Sequence, residues 1–230
     1  MFWNNENGAR VYVKKAGALA LAAMMLAGST SVVLADEPAA QEQSEQVVYN
    51  VVDENKTPRQ LNVHVGTDAA TQVNVTYTTV ADTQTIISLN KVGDSNVIYV
   101  EGSSYQGLAG KYIHEIAVTG LEANTEYEYT VGDGFNSAKG TFKTALPKNS
   151  EESFTFAYLA DTQVASASDA KALGATLAEV NNMDPDFVYL AGDVTNTATS
   201  EAQWEWLFNN DGAFPNRGEE MFSNNPLALT

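Results

Sequence analysis

Along much of the first two thirds of the chain, apolar and polar residues alternate one by one in short segments. Clear examples are residues 61–65, 73–77 and 126–131, with the sequences LNVHV, VNVTY and EYEYTV. A period of two places the apolar side chains on one face of a strand, which is typical of an antiparallel sheet with its other face in water. Because turn sequences rich in Gly, Asp and Asn separate these segments, residues 46–147 are predicted to form an all-β sandwich.

From about residue 150 the pattern changes to longer apolar runs. Residues 154–160 and 186–191 are nearly continuous apolar segments, typical of parallel strands that helices cover on both faces. Between them, Leu173, Leu177 and Val180 recur at helical spacing, which predicts a helix over 168–183 that Ser168 can cap. A capping box at 200–203 predicts a second helix, and residues 226–230 resemble the start of a third strand. Residues 148–230 are therefore predicted to be the first, incomplete part of an α/β domain.

Residues 1–35 have the organisation of a secretory signal peptide. Three basic residues, Arg10, Lys14 and Lys15, precede an apolar stretch at 16–28, and small residues lead to a cleavage site after Ala35. The apolar stretch is short for a membrane span, although an uncleaved membrane anchor is the alternative interpretation. We therefore expect a secreted protein, extracellular or at the cell surface, without a stable membrane anchor. A polar linker is expected at 36–45.

Composition and charge exclude several classes of function. The net charge of −17 argues against nucleic-acid binding, and the absence of Cys excludes disulfides, thiolate zinc sites and cysteine nucleophiles. The two histidines both lie on predicted strands of the sandwich. His64 is on a polar face and is predicted to be solvated, whereas His114 shares the face of Ile116 and Val118 and is predicted to be partly buried. Neither has a neighbour at metal-ligand spacing, so both are predicted to be structural.

Acidic residues at the ends of two predicted strands are the candidates for chemistry. Asp161 follows the first apolar strand and Asp193 follows the second. Because the carboxyl ends of neighbouring parallel strands meet at one sheet edge, both carboxylates are expected to converge there. Their mutual repulsion favours a bound cation, and oxygen donors without thiolates favour Mg, Mn, Fe or Zn. An Asp at a strand end is also a common turn or helix cap, and the pattern alone leaves that alternative open.

Two motifs resemble known families. Residues 119–127, TGLEANTEY, resemble the tyrosine corner of fibronectin type III domains, in which the hydroxyl of Tyr127 would bond to upstream backbone. Asp-x-Gln at 161–163 and Gly-Asp-x-x-Asn at 192–196 resemble the calcineurin-like metallophosphoesterase superfamily, and the preceding sandwich resembles the N-terminal domain of purple acid phosphatases. The resemblance implies a multidomain β + α/β protein. A fibronectin III-like β-sandwich would be followed by the first βαβ part of a metallophosphoesterase α/β/β/α sandwich.

The same resemblance implies a hydrolase of phosphate esters with two divalent or trivalent metal ions, Fe, Mn or Zn. A metal-bound hydroxide would attack phosphorus without a covalent intermediate. Asp161 would bind the first metal and Asp193 would bridge both. Gln163 stands where the superfamily commonly has His, and it could ligate through its amide oxygen. Asn196 stands where purple acid phosphatases have a metal-binding Tyr, and it could be a ligand, a supporting group or a turn residue.

Part of the family's ligand set is absent from the chain. The family's next motif, Gly-Asn-His, does not occur, and no His follows residue 114. We therefore expect a C-terminally truncated fragment with partly liganded metals, inactive by itself, whose intact parent is the enzyme. The alternative is an extracellular binding or adhesion protein with a degenerate phosphatase part. The sequence leaves the particular substrate, the metal identity and the oligomeric state open.

Overall fold

A long series of strands is followed by a short α/β segment. The computed structural model describes residues 52–208 and the backbone of two further strands, one near each end of the chain. A 3₁₀ turn at Leu108–Gly110 precedes the seventh strand, and the helices are α1 (Ala167–Asn182) and α2 (Glu201–Phe208). The strands are β1 (Val11–Lys14), β2 (Arg59–Val65), β3 (Gln72–Thr79), β4 (Ile86–Lys91), β5 (Val97–Glu101), β6 (Ser103–Gln106), β7 (Tyr112–Thr119), β8 (Glu126–Gly132), β9 (Ser137–Lys143), β10 (Phe156–Ala160), β11 (Phe187–Ala191) and β12 (Leu227–Leu229).

The predicted β-sandwich is confirmed. One layer contains β2, β3, β7 and β6, and the other contains β5, β4, β8 and β9, with β1 pairing antiparallel to the outer edge of β5. Residues that alternate in the sequence meet in the core between the layers, where Val63, Val75, Leu89 and Val131 are fully buried. Period-two burial of these strands is thus the main source of hydrophobic stabilisation in this part of the chain.

The tyrosine corner is also confirmed. The hydroxyl of Tyr127 accepts a hydrogen bond from the backbone N–H of Glu122 at 2.9 Å. The Tyr127 ring is 1% exposed and stacks on Phe142 with ring centroids 5.5 Å apart. The corner therefore attaches the connection between β7 and β8 to the core of the sandwich.

Replacing Tyr127 by Phe is expected to lower the free energy of unfolding by about 1 kcal/mol, because it removes one hydrogen bond and leaves the ring in place. Urea denaturation followed by tryptophan fluorescence and circular dichroism measures this change. Tyr105→Phe is the control, since Tyr105 is exposed and its hydroxyl donates to Glu115 on the surface. The control is expected to change stability by less than about 0.5 kcal/mol; equal effects in both variants would show that the corner adds nothing.

His114 lies in the core, as its position in the pattern predicts. It is 0% exposed, its ring nitrogens lie 2.8 Å from the Thr79 hydroxyl and 2.7 Å from the Thr85 hydroxyl, and its ring stacks on Tyr77. Burial lowers the pKa of His114 despite the opposing charge of Asp82. The ring is therefore held neutral as a structural side chain.

The prediction that His64 is solvated is wrong. His64 is half-buried, because the polar face of β2 turns toward the α/β part of the chain instead of toward water. Burial lowers the pKa of His64, although the charge of Glu115 opposes the effect. A polar face in the sequence thus became part of an interface between two units.

The α/β part has the predicted order of elements, with two corrections. β10 and β11 pair in parallel, and α1 begins at Ala167 with Ser166, not Ser168, as the N-cap that accepts from the Asp169 N–H at 3.2 Å. The expectation that β10 is buried on both faces is wrong, because Phe156 and Tyr158 are 49% and 62% exposed. The helices cover one face of this strand, and its aromatic residues lie on the other.

A single sheet runs through both parts of the molecule. β12 pairs in parallel with β11 on one side and with β2 on the other, where Leu227 lies opposite His64. The resulting order is β10-β11-β12-β2-β3-β7-β6. The sequence predicted the third α/β strand, but not that it would join the sandwich.

Part of the predicted N-terminal organisation lies outside the described residues. β1 falls within the predicted signal peptide, and the remainder of 1–35, together with the linker at 36–45, is outside them. Among the residues that the structure describes, there is no helix with the length and apolar character needed to cross a membrane. The prediction of secretion stays a prediction.

Candidate metal centre

The two candidate loops, which follow β10 and β11, are bonded to each other through their backbones. The N–H of Gln163 donates to the carbonyl of Asp193 at 2.7 Å, and the N–H of Asn196 donates to the carbonyl of Val164 at 3.1 Å. Val164 also forms an isolated parallel bridge with Thr195. Backbone hydrogen bonds thus carry the pairing of the strands past their ends and into the loops that hold the four predicted site residues.

The backbone of these loops adopts left-handed conformations at several positions. Asp161, Gln163 and Asp193 have φ of 56°, 39° and 47°, and Gly192 has φ of 73°. Glycine takes this conformation at little cost and Asp tolerates it better than most residues, whereas for Gln163 it costs about 1–2 kcal/mol. Clustered strain of this kind is found at functional sites, where the surrounding structure imposes a particular direction on the side chains.

The structure places three of the predicted site residues on two adjacent loops, and it records a side-chain contact between two of them. Asp161 and Asp193 follow the paired positions Ala160 and Ala191, and the Gln163 side-chain amide donates to Asp193 Oδ2 at 3.3 Å. All three side chains are exposed. Asp161 and Asp193 therefore lie on adjacent loops at one end of the paired strands, and the convergence of their carboxylates on one metal stays a prediction.

Asn196 is placed differently from the other three. Its backbone is held by Val164, but its side-chain amide nitrogen lies 3.5 Å from the Thr197 hydroxyl, within the same turn. The structure therefore places Asn196 beside the candidate centre without directing its side chain to Asp161 or Asp193 in any recorded contact. Its role as a ligand stays a prediction.

The donor chemistry fits a hard cation, but the set is small. Carboxylate oxygens from Asp161 and Asp193, with the amide oxygen of Gln163 as a further donor, are ligands that Mn, Fe or Zn accept. Within residues 52–208, the structure contains no group of three or more His, Cys, Asp or Glu placed to hold one metal ion. The described residues thus offer two carboxylates and one amide with suitable donor chemistry, and their binding of a metal stays a prediction.

Helix α2 anchors the second loop. The side-chain oxygen of Gln203 accepts from the Thr197 N–H at 2.7 Å, and the Trp204 indole donates to the carbonyl of Ala198 at 2.9 Å. The capping box correctly predicts where the helix begins, but Gln203 bonds to Thr197 and not to the N–H of Ser200. The first turn of α2 is therefore bonded to the residues that directly follow Asn196.

Sequence reasoning missed the residues that hold α2 against the sandwich. Lys111 Nζ lies 2.5 Å from Glu201 Oε1 and also contacts Glu205, and Gln60 Nε2 donates to Glu201 Oε1 at 2.7 Å. Arg59 approaches Glu205 at 3.9 Å. A cleft of about 300 Å³ lies between the two units beside these contacts. The spacing of Glu201 and Glu205 is the feature of the sequence that could have indicated these contacts. Two like charges four residues apart destabilise a helix unless a cation lies nearby.

Comparisons with known proteins agree with the resemblance stated from the sequence. Residues 58–144 match the family model of the purple acid phosphatase, N-terminal domain. The structure of purple acid phosphatase PPD1 from yellow lupin (Lupinus luteus) seeds is similar, with a TM-score of 0.59 and 15% identity, over 76% of this chain and 35% of that chain. No curated protein matches the chain.

A second solved structure, that of PhoD, has a TM-score of 0.51 and 16% identity, and the match covers 78% of this chain and 40% of that chain. Both likenesses extend beyond the sandwich, and both show a shared fold. This chain therefore spans less than half the length of either of these two chains. The two-part fold class predicted from the sequence, with its β-sandwich and partial α/β unit, is confirmed.

Proposed function

We propose that this chain supplies the first two metal-binding loops of a secreted, metal-dependent phosphoesterase that hydrolyses phosphate esters. The observation that supports the proposal best is the bonded pair of strained loops that brings Asp161 and Asp193 to one sheet edge. These loops follow a domain that matches the N-terminal domain of purple acid phosphatases. The combination of domain and site favours this class over other metal-binding functions.

In this proposal, each residue has a defined task. Asp161 and Asp193 hold the metals, and the amide of Gln163 orients the Asp193 carboxylate through the 3.3 Å hydrogen bond. Two metal ions, when bound, would supply a Lewis acid that polarises the phosphate ester and activates water. Because the chain has a net charge of −17, an anionic ester is repelled at long range. Positive charge held at this sheet edge would offset that repulsion locally.

The proposal requires metal ligands in addition to those of the two loops. No His follows residue 114, and the match covers only 35% of the purple acid phosphatase PPD1 chain and 40% of the PhoD chain. The two loops would then form one side of the centre, and the chain by itself would bind metal weakly and hydrolyse nothing. In this proposal, activity would require more metal ligands than the two loops supply.

Metal titration and phosphatase assays test this function. Calorimetric titration with Mn²⁺ is expected to show weak binding by the chain and tighter binding by a longer protein that includes it. The longer protein is expected to hydrolyse para-nitrophenyl phosphate or its bis-ester, and the chain alone is not. Absence of metal binding by both folded proteins would overturn the proposal.

The alternative is an extracellular binding or adhesion protein with a degenerate phosphatase part. The observations that favour it are Gln163 and Asn196 at positions where the resembling families have His and Tyr, and the direction of the Asn196 side chain toward Thr197. This alternative predicts a folded longer protein without bound metal and without esterase activity. The same titration therefore separates the two functions.

A further inference from the structure

Two like charges on α2 face the sandwich. Glu201 and Glu205 are four residues apart, so their side chains project from the same side of the helix. Like charges at this spacing destabilise a helix. Lys111, which directly precedes β7, contacts both carboxylates, and its side chain is only 15% exposed. The charge arrangement of α2 is therefore balanced by a residue from the other unit.

A second contact to α2 comes from a bulge in β2. The pairing register of β2 shifts between Arg59 and Asn62, and Gln60 within this bulge has φ of 51°. A bulge redirects a side chain, and here the Gln60 amide reaches Glu201 Oε1 at 2.7 Å and Glu205 Oε1 at 3.3 Å. The left-handed conformation costs energy for Gln, and the two partly buried hydrogen bonds to the glutamates contribute against that cost.

The same helix is bonded to the candidate metal loop. Gln203 and Trp204 hold the backbone of Thr197 and Ala198, directly after Asn196. The first turn of α2 therefore contacts the sandwich on one side and the loop on the other. A shift of α2 would therefore move the Gln203 oxygen and the Trp204 indole N–H, which bind the backbone of this loop.

We propose that Lys111 and Gln60 of the sandwich are positioning residues for the loop at 193–196 and act through Glu201 and Glu205 of α2. The proposal rests on the proposed function only in taking this loop to bind metal. In this proposal, the N-terminal domain holds α2 in position, and α2 in turn holds the loop at 193–196. Lys111 and Gln60 themselves lie away from the metal and the reacting atoms.

Hydrogen exchange tests the coupling without any assay of activity. In Lys111→Met, which keeps the apolar stem and removes the charge, the amides of residues 196–200 are expected to exchange about tenfold faster. The amides of β8, in the core of the sandwich, are expected to keep their exchange rates. Lys111→Arg is expected to restore most of the protection, because it returns a positive charge to the two glutamates.

Lys91→Met is the matched control. Lys91 also pairs with a glutamate, Glu122, but this pair is on the exposed surface of the sandwich. The control is expected to leave exchange at 196–200 unchanged. Unchanged loop exchange in Lys111→Met, or an equal acceleration in β8 and the loop, would overturn the proposal, because the second result indicates general destabilisation.

Mn²⁺ affinity gives an independent measurement. Lys111→Met is expected to weaken Mn²⁺ binding about threefold or more, whereas Lys91→Met is expected to leave it unchanged. If neither the wild-type chain nor a longer protein that includes it binds Mn²⁺, the proposed function fails while hydrogen exchange still decides the coupling. If Lys111→Met does not fold, Glu205→Gln replaces it as the milder variant. Faster exchange at 196–200 is again expected, and its absence counts against the proposal.

Discussion

Asp193→Asn is expected to weaken Mn²⁺ binding about a hundredfold or more, because the variant replaces an anionic ligand by a neutral amide. Asn adopts the left-handed backbone conformation readily, so the φ of 47° at this position does not oppose folding. The amide oxygen can still accept the hydrogen bond from Gln163. Calorimetric titration measures the affinity, and circular dichroism verifies that the fold is unchanged. In a longer, active protein the same variant is expected to lose esterase activity.

Asp184→Asn is the matched control for this prediction. Asp184 is exposed and has φ of 48°, but it precedes β11 and so lies at the opposite end of the parallel strands from Asp193. It is expected to bind Mn²⁺ like the wild-type chain. Equal losses in both variants would indicate non-specific attraction of Mn²⁺ to an acidic surface. Unchanged binding in Asp193→Asn would favour the binding or adhesion protein.

Lowering the pH from 7 to 5.5 is expected to destabilise the protein through its two histidines. Burial lowers the pKa of both His64 and His114, so the unfolded chain takes up protons, near its ordinary pKa of about 6.5, before the folded chain does. Stability is therefore fully present above about pH 6.5 and falls as the pH drops toward the folded-state pKa values. The slope is at most about 1.4 kcal/mol per pH unit for each histidine. Urea denaturation at a series of pH values measures it.

Variants separate the contributions to this slope. His114→Gln and His64→Gln are each expected to flatten the dependence on pH, whatever they cost in stability at pH 7. Tyr127→Phe is expected to lower stability equally at all these pH values, because it removes one hydrogen bond to a backbone N–H and leaves both histidines in place. A slope that persists in the double histidine variant would assign the effect to carboxylates.

Local patterns in the sequence predicted the parts of the fold that local physics determines. Alternation identified the core positions of β2, β3 and β8, and Tyr127 bonds to Glu122 N–H as its motif predicts. The strand ends placed Asp161 and Asp193 on adjacent loops, because parallel pairing of neighbouring strands brings their ends together. These features depend on spacing within a few residues or on one helical crossover.

The contacts between the two units could not be predicted in the same way. Asn62, His64 and Thr76 alternate with core residues, which shows that they lie on the other face but not what covers it. They line a cleft whose opposite wall includes Leu190 and Trp204, more than a hundred residues later in the chain. β10 shows the opposite error. Its apolar run predicted that helices bury both faces, but among the described residues nothing buries the face of Phe156 and Tyr158. Periodicity indicates the direction of a side chain and leaves its neighbour undetermined.

The position of β12 between β11 and β2 has a consequence for how the protein associates with other chains. β2 would be an edge strand of the sandwich if β12 did not pair with it, and an open edge invites pairing with other chains. A sandwich cut out at residue 147 would therefore expose backbone donors and acceptors along β2. We expect such a piece to self-associate more readily than the whole chain. The pairing of β12 with β2 thus lowers the tendency of this edge of the sandwich to associate with other chains.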